Sequence, residues 1–294
     1  MKYSISGMIM LFIHMGFGYS QSSKVEHIIF GNTIDNPIKI EVLQSGNKYT
    51  FYAENRSYYP YSVELKIQNI QNLDPLWVNN TYKVIFGKNN LITLTVKDAG
   101  LPVSYDYSYK YRIGVPCKDV ISDYPYLIPF NGKFEFLYQN ESKSLIKKNA
   151  FVLGEGDTIY AMRKGLVVAT PDMYYNQDRI SKEKSLEVMH KDGTIMIYEN
   201  LDPDVVFIKP GKMVYSGQPV GVLNSEKILE VLLVADMGDG RLKNLEIHFC
   251  VDKQRTLKFS EELKETSVSY PFEIISKEMS KREIKQLSKA QLYE

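Results

Sequence analysis

Between residues 27 and 114 the chain is a series of short runs in which apolar and polar side chains alternate, the period of a half-buried strand. Ile38–Leu43 alternates in this way. Tyr49–Ala53 follows after the turn Ser45-Gly46-Asn47, and Tyr61–Ile67 places Val63, Leu65 and Ile67 on one face. Tyr82–Phe86, Leu91–Val96 and Tyr105–Ile113 complete the set, with Gly87-Lys88-Asn89-Asn90 as the turn joining the first two of these. Short strands with regularly spaced turns predict a β-sandwich-like domain over residues 21–114. It carries no catalytic constellation, and the expectation is a spacer or binding module. Pro116, Pro125 and Pro129 then resist helix and central strand, which predicts a linker over 115–132.

A second β domain is expected over 133–260. Thr158–Met162 and Leu166–Ala169 flank Arg163-Lys164-Gly165, and Leu186–His190 and Thr194–Tyr198 flank Lys191-Asp192-Gly193, a hairpin signal. Val205–Lys209 runs into Pro210-Gly211, and Leu245–Val251 reads as the last strand. Pro171–Lys184 and Asn224–Asn244 read as long loops, where binding residues tend to sit. The extension 261–294 contains Ser280-Lys281-Arg282-Glu283, a capping-box pattern, followed by a weak apolar stripe of Ile284, Leu287 and Leu292. A short C-terminal helix is predicted there.

Composition agrees with a mostly β chain: there are 22 Tyr against one Trp, and Tyr favours half-buried strands. The formal charge is +1 with no long basic run, so no nucleic-acid partner is expected. Lys2, the apolar run Ile5–Phe17 and Gly18-Tyr19-Ser20 read as a cleavable signal peptide over residues 1–20. Export to the periplasm or the medium is the expectation. No Cys follows that run to take a lipid, and no later apolar run is long enough for a membrane helix. Cys117 and Cys250 make no disulfide framework, and nothing in the sequence places them near each other.

Three stretches of the second domain carry a resemblance. The first is Gly156-Asp-Thr-Ile-Tyr-Ala-Met-Arg-Lys-Gly-Leu-Val-Val-Ala169, the second His190-Lys-Asp-Gly-Thr-Ile-Met-Ile-Tyr-Glu-Asn-Leu201. The third is Ile208-Lys-Pro-Gly-Lys-Met-Val-Tyr-Ser-Gly-Gln-Pro-Val-Gly221, followed downstream by Leu245-Glu-Ile-His-Phe-Cys-Val251. In order and spacing they resemble the M23 (lysostaphin/LytM-type) zinc endopeptidase domain. The resemblance implies an antiparallel, duplicated-hybrid-motif-like β domain with a groove floored by the Leu245–Val251 strand. The third stretch also resembles half of a biotinyl/lipoyl carrier domain. Its modifiable lysine would fall nearest to Lys164 in Ala161-Met-Arg-Lys-Gly165, without the usual flanking methionines, and export argues against a carrier.

An M23 site implies three zinc ligands, His, Asp and His, and two assisting His. A catalytic zinc keeps an open position for water. The segment Ile146–Gly154, where the first His and the Asp are implied, contains neither, and Val152 stands near the place of the Asp. Asn200 stands for one assisting His, Glu246 for the other, and His248 is the single retained ligand. After signal removal only His27, His190 and His248 remain, too few for four histidines. Glu246, His248 and Cys250 alternate and would share one strand face, a weak alternative metal trio. The resemblance therefore implies a catalytically inactive envelope protein without a cofactor. It would bind peptidoglycan or regulate a cell-wall hydrolase, with Tyr174 and Tyr175 lining the groove. The alternatives are an active zinc endopeptidase with an altered site, and an adhesion or scaffold protein working through the sandwich.

Overall fold

The computed structural model describes residues 36–74, 79–114, 123–131, 135–136, 148–171, 185–236, 242–253, 255–258, 268 and 270–290. Residues 1–20, expected to be a signal peptide, and His27, Cys117, Tyr174 and Tyr175 lie outside these residues. The described residues are mostly β, in largely antiparallel sheets, with two short helices.

The first unit holds β1 (Ile38–Ser45), β2 (Lys48–Asn55), β3 (Tyr61–Gln71), β4 (Asn79–Val84), β5 (Gly87–Thr95) and β6 (Ser104–Ile113). They form two three-stranded sheets, ordered β1-β2-β5 and β4-β3-β6. Phe51 of one sheet meets the edges of Tyr105 and Tyr107 of the other at 5.5 and 5.6 Å. Val63, Leu65 and Ile67 are buried together, as their alternation predicts. The turn between β4 and β5 falls two residues earlier than expected, at Ile85-Phe86. Asn89 explains the shift: its amide donates to the Ile85 and Gly87 carbonyls and its oxygen accepts from Ile85 N–H. Residues 87–90 are thereby held in β5, paired with Tyr52–Asn55.

The second unit comprises β7 (Pro125–Tyr126), β8 (Glu135–Phe136), β9 (Asn149–Val152), β10 (Thr158–Tyr160), β11 (Gly165–Ala169), β12 (Ser185–Met189) and β13 (Ile195–Glu199). It continues with β14 (Leu201–Val206), β15 (Met213–Val214), β16 (Pro219–Leu223), β17 (Ile228–Asp236), β18 (Leu242–Leu245), β19 (His248–Cys250) and β20 (Thr256–Leu257). An eight-stranded sheet runs β15-β11-β12-β13-β17-β9-β8, with β18 beside β17; β10-β16-β14 and β20-β19-β7 form smaller sheets. Helices α1 (Phe272–Ile275) and α2 (Lys281–Ala290) close the chain. The capping box forms reciprocally: Ser280 N–H donates to Glu283 Oε2 at 2.6 Å and Glu283 N–H to Ser280 Oγ at 3.4 Å.

Three expectations differ from the structure, the first because a strand is buried on both faces. Asn224–Asn244 is not a loop: Ile228–Asp236 is β17, between β13 and β9 in the large sheet. Its Leu229, Val231 and Leu233 face the second unit's core, while Leu232 and Val234 face the first unit. With both sides covered, the strand has no polar face to alternate. Leu245–Val251 is broken instead, into β18 on the large sheet and β19 on a small one. The end of the assigned linker is also core, because Tyr124, Tyr126, Ile128 and Phe130 are buried in the second unit.

The two units share a core. Val168, Ala169, Met189, Ile195, Ile197, Leu232 and Val234 pack in one cluster with Tyr59, Tyr61, Val63 and Leu65 of the first unit. Glu187 of β12 is fully buried in this seam, where it accepts a hydrogen bond from the Tyr59 hydroxyl and one from Ser185 Oγ at 3.2 Å. Tyr58 lies so close to Gly211 that a Cβ there would come within 2.9 Å of its ring, at a φ of +81° that already favours glycine.

Candidate functional site

Side chains alternate across a strand, so the face of the large sheet that meets the first unit also carries Glu187, Glu199 and Glu230. Glu199 and Glu230 are direct cross-strand partners on β13 and β17, and Ala150 of β9 opposes Glu230. Like charges so placed repel. Lys148, just before β9, resolves this: its Nζ lies 2.5 Å from Glu199 Oε2 and 2.9 Å from Glu230 Oε2. Burial pushes the Glu199 carboxyl up, Lys148 opposes that and Glu230 adds to it, leaving a pKa of about 7. Burial works against the Lys148 ammonium, but the two carboxylates outweigh it and its pKa is raised. Asn200, in the left-handed region at φ 66°, donates from its amide to the Ile228 carbonyl at 3.0 Å and so ties the end of β13 to β17.

The two places where the M23 resemblance puts lost site residues therefore converge: the segment before Gly156, and Asn200. They meet at β17 rather than at the Leu245–Val251 strand. His248 is elsewhere, on β19, registered against Pro125 of β7. The proposed trio does not assemble. Glu246 lies outside the strand, is mostly exposed and pairs with Lys258 at 2.6 Å, while His248 Nε2 stands 4.0 Å from it. Cys250 is a buried free thiol packed with Leu127 and Ile274, and its Sγ donates to the Asp252 carbonyl. Burial, with Asp252 nearby, pushes that thiol up to about 11, away from the thiolate a metal needs.

Among the described residues no group of three or more His, Cys, Asp and Glu could hold a metal ion. At the Glu199–Glu230 pair, the Lys148 ammonium lies between the two carboxylates.

A second polar cluster, unforeseen from the sequence, centres on Arg163. Its side chain is 1% exposed and ion-paired to Asp192 at 2.8 Å and Glu278 at 2.7 Å. Nε donates to the other Glu278 oxygen, Nη1 donates to the Tyr126 hydroxyl, and the guanidinium lies 3.8 Å from the Tyr124 ring centroid. Lys164, the residue nearest a carrier lysine, is engaged: Nζ donates to both Glu283 oxygens and to the Glu278 carbonyl. The cluster straps the C-terminal segment to the hairpin region.

His190 lies beside it. Its Nδ1 is 2.9 Å from the Lys164 carbonyl, an acceptor only, so Nδ1 carries the proton and Nε2, which has no hydrogen-bond partner, is bare. Burial first, then the Arg163 cation, lower its pKa to about 4. The unfolded chain takes up a proton near pH 6.5 and the folded chain does not until about pH 4. Stability contributed by neutral His190 is therefore present above that window and lost on acidification through it, by up to about 3 kcal/mol. Urea unfolding at pH 7 and pH 4.5 measures this. His190→Phe should flatten the difference, and an unchanged slope in that variant would refute the assignment.

No family model matches the sequence, and no curated protein matches it. Among solved structures, the chain is similar to lysostaphin, the antimicrobial peptidase from Staphylococcus simulans, at 14% identity and a TM-score of 0.30 over 40% of this chain. It spans 50% of that structure's length. It is also similar to Helicobacter pylori Csd3, at 12% identity and a TM-score of 0.30 over 88% of this chain and 79% of that one. A zinc containing peptidase from Vibrio cholerae overlaps at 10% identity and a TM-score of 0.29, over 72% of this chain and 85% of that one. Overlap at this level does not place the chain in a family.

Proposed function

We propose that the second unit is a metal-free, M23-like binding module of the cell envelope that holds peptidoglycan, or a wall hydrolase, without cutting it. One observation carries this: the Lys148 ammonium sits between Glu199 and Glu230, where the segment before Gly156 and Asn200 converge. A zinc peptidase needs a metal with an open position to activate water. Here the carboxylates are spent on an internal cation. Among the described residues no helix is long and apolar enough to cross a membrane. The groove would be completed by Tyr174 and Tyr175, whose rings suit stacking on sugar.

Co-sedimentation with peptidoglycan sacculi tests this reading. The mature chain should pellet with sacculi and release no soluble fragments, and Tyr174→Ala/Tyr175→Ala should weaken binding about tenfold while leaving the melting temperature nearly unchanged. Chelator-sensitive release of fragments would contradict it. The rival, adhesion through the sandwich, is favoured by Ile85 and Phe86, 56% and 54% exposed at the tip of the β4–β5 turn with Phe86 stacked on Tyr58. It predicts that Phe86→Ser, rather than the tyrosine pair, abolishes binding.

A further inference from the structure

Three strands meet at one ammonium. Lys148 leads into β9, Glu230 lies on β17 and Glu199 on β13, and no covalent link shorter than a long stretch of chain joins them. The three side chains are only 29%, 14% and 16% exposed, so water offers little screening. Ser185 of β12 is the next residue along the same cross-strand row, with Glu187 one row further on and Ala150 on the other side. A lysine suits the place: its ammonium is a compact charge with three donors, and two of them are used on the two carboxylates.

Resting on the metal-free reading of this site, we propose that Lys148 is the resident cation of the sheet. Its ammonium bridges two opposed carboxylates, offsets one of their charges and fastens β9 to β17 and β13, the tying role a bound metal ion plays in a metal-tied fold. A charge carried by the chain itself closes the position to outside metal and needs no supply of it. Removing Lys148 should then harm the fold because Glu199 and Glu230 are left facing each other, and neutralising one of them should repair the harm.

Thermal unfolding of the mature chain at pH 8, with and without EDTA, tests this on three proteins: wild type, Lys148→Met and Lys148→Met/Glu199→Gln. The expected result is a fall of about 5 °C in Lys148→Met, recovery of most of it in the double variant, and no response of the wild type to EDTA. If Lys148→Met does not yield soluble protein, the double variant decides: near-wild-type melting supports the proposal, and insolubility overturns it. Lys148→Met melting with the wild type, or a double variant falling further, also overturns it while leaving the metal-free reading intact. A wild type that loses stability in EDTA overturns that reading instead, and this proposal with it.

Discussion

Replacing Arg163 with Met should cost the fold about 3–5 kcal/mol, the penalty for breaking a buried ion pair and leaving its partners without a counter-charge. Asp192 and Glu278 each hold the guanidinium, from the β12–β13 turn and from the segment between α1 and α2. Met has comparable length but no donor, so both carboxylates and the Tyr126 hydroxyl lose a partner in a site that excludes most water. Arg163→Lys should recover only part of the loss, because one ammonium cannot reproduce the two-pronged contact with Glu278. Urea denaturation reads the difference. A variant within about 1 kcal/mol of wild type would mean that the strap contributes little, in the range of exposed ion pairs.

Leu232→Ala should cost about 2–5 kcal/mol and lower the stability of both units together. Leu232 is 2% exposed on the face of β17 that meets the first unit, in a cross-strand row with Ile197 and Glu187. The cavity left by truncation opens into a core shared by the two units. Calorimetry should show one unfolding transition in wild type and one, at lower temperature, in the variant. Two separate transitions, only one of them shifted, would contradict the shared core. For the same reason a fragment without residues 36–114 should aggregate, since it would expose Ile195, Ile197, Leu232 and Val234 as a continuous apolar surface.

What was legible in the sequence is what a local period writes. Tyr61–Ile67 alternates because one side of β3 faces the sandwich core and the other faces water. The Lys191-Asp192-Gly193 turn is legible because Gly193 takes φ 87° and Asp192 Oδ1 accepts from Thr194 N–H and Oγ1. The capping box needs only four consecutive residues. Strand β17 is illegible to alternation because it is covered on both faces. Its continuous Ile-Leu-Glu-Val-Leu-Leu-Val-Ala run was the available signal, that of a doubly buried strand rather than a loop.

The candidate site was less legible still. Lys148 meets partners 51 and 82 residues away, and nothing local marks any of the three as interacting. Glu199, beside Asn200, is readable from the sequence as a candidate compensating group whose facing it does not show, and Glu230 inside an apolar run marks a charge that burial would require to be paired. Arg163-Lys164-Gly165 reads as an ordinary polar turn until the fold brings Glu278 and Glu283 to it. Gly165 in fact belongs to β11, where an added Cβ would meet Val188 Cγ1 at 2.5 Å and the Met189 carbonyl at 2.7 Å. The segment before Gly156 and Asn200 both meet β17, through the register of Val152 on Ile228 and the Asn200 amide on the Ile228 carbonyl, while Leu245–Val251 is divided between β18 and β19.

Metal content tests the account most directly. The mature chain, expressed without a histidine tag and dialysed against metal-free buffer, should contain well below one zinc per molecule. Incubation with sacculi should give no soluble fragments with or without added zinc. One zinc per chain that survives dialysis, with hydrolysis that EDTA abolishes, would contradict it.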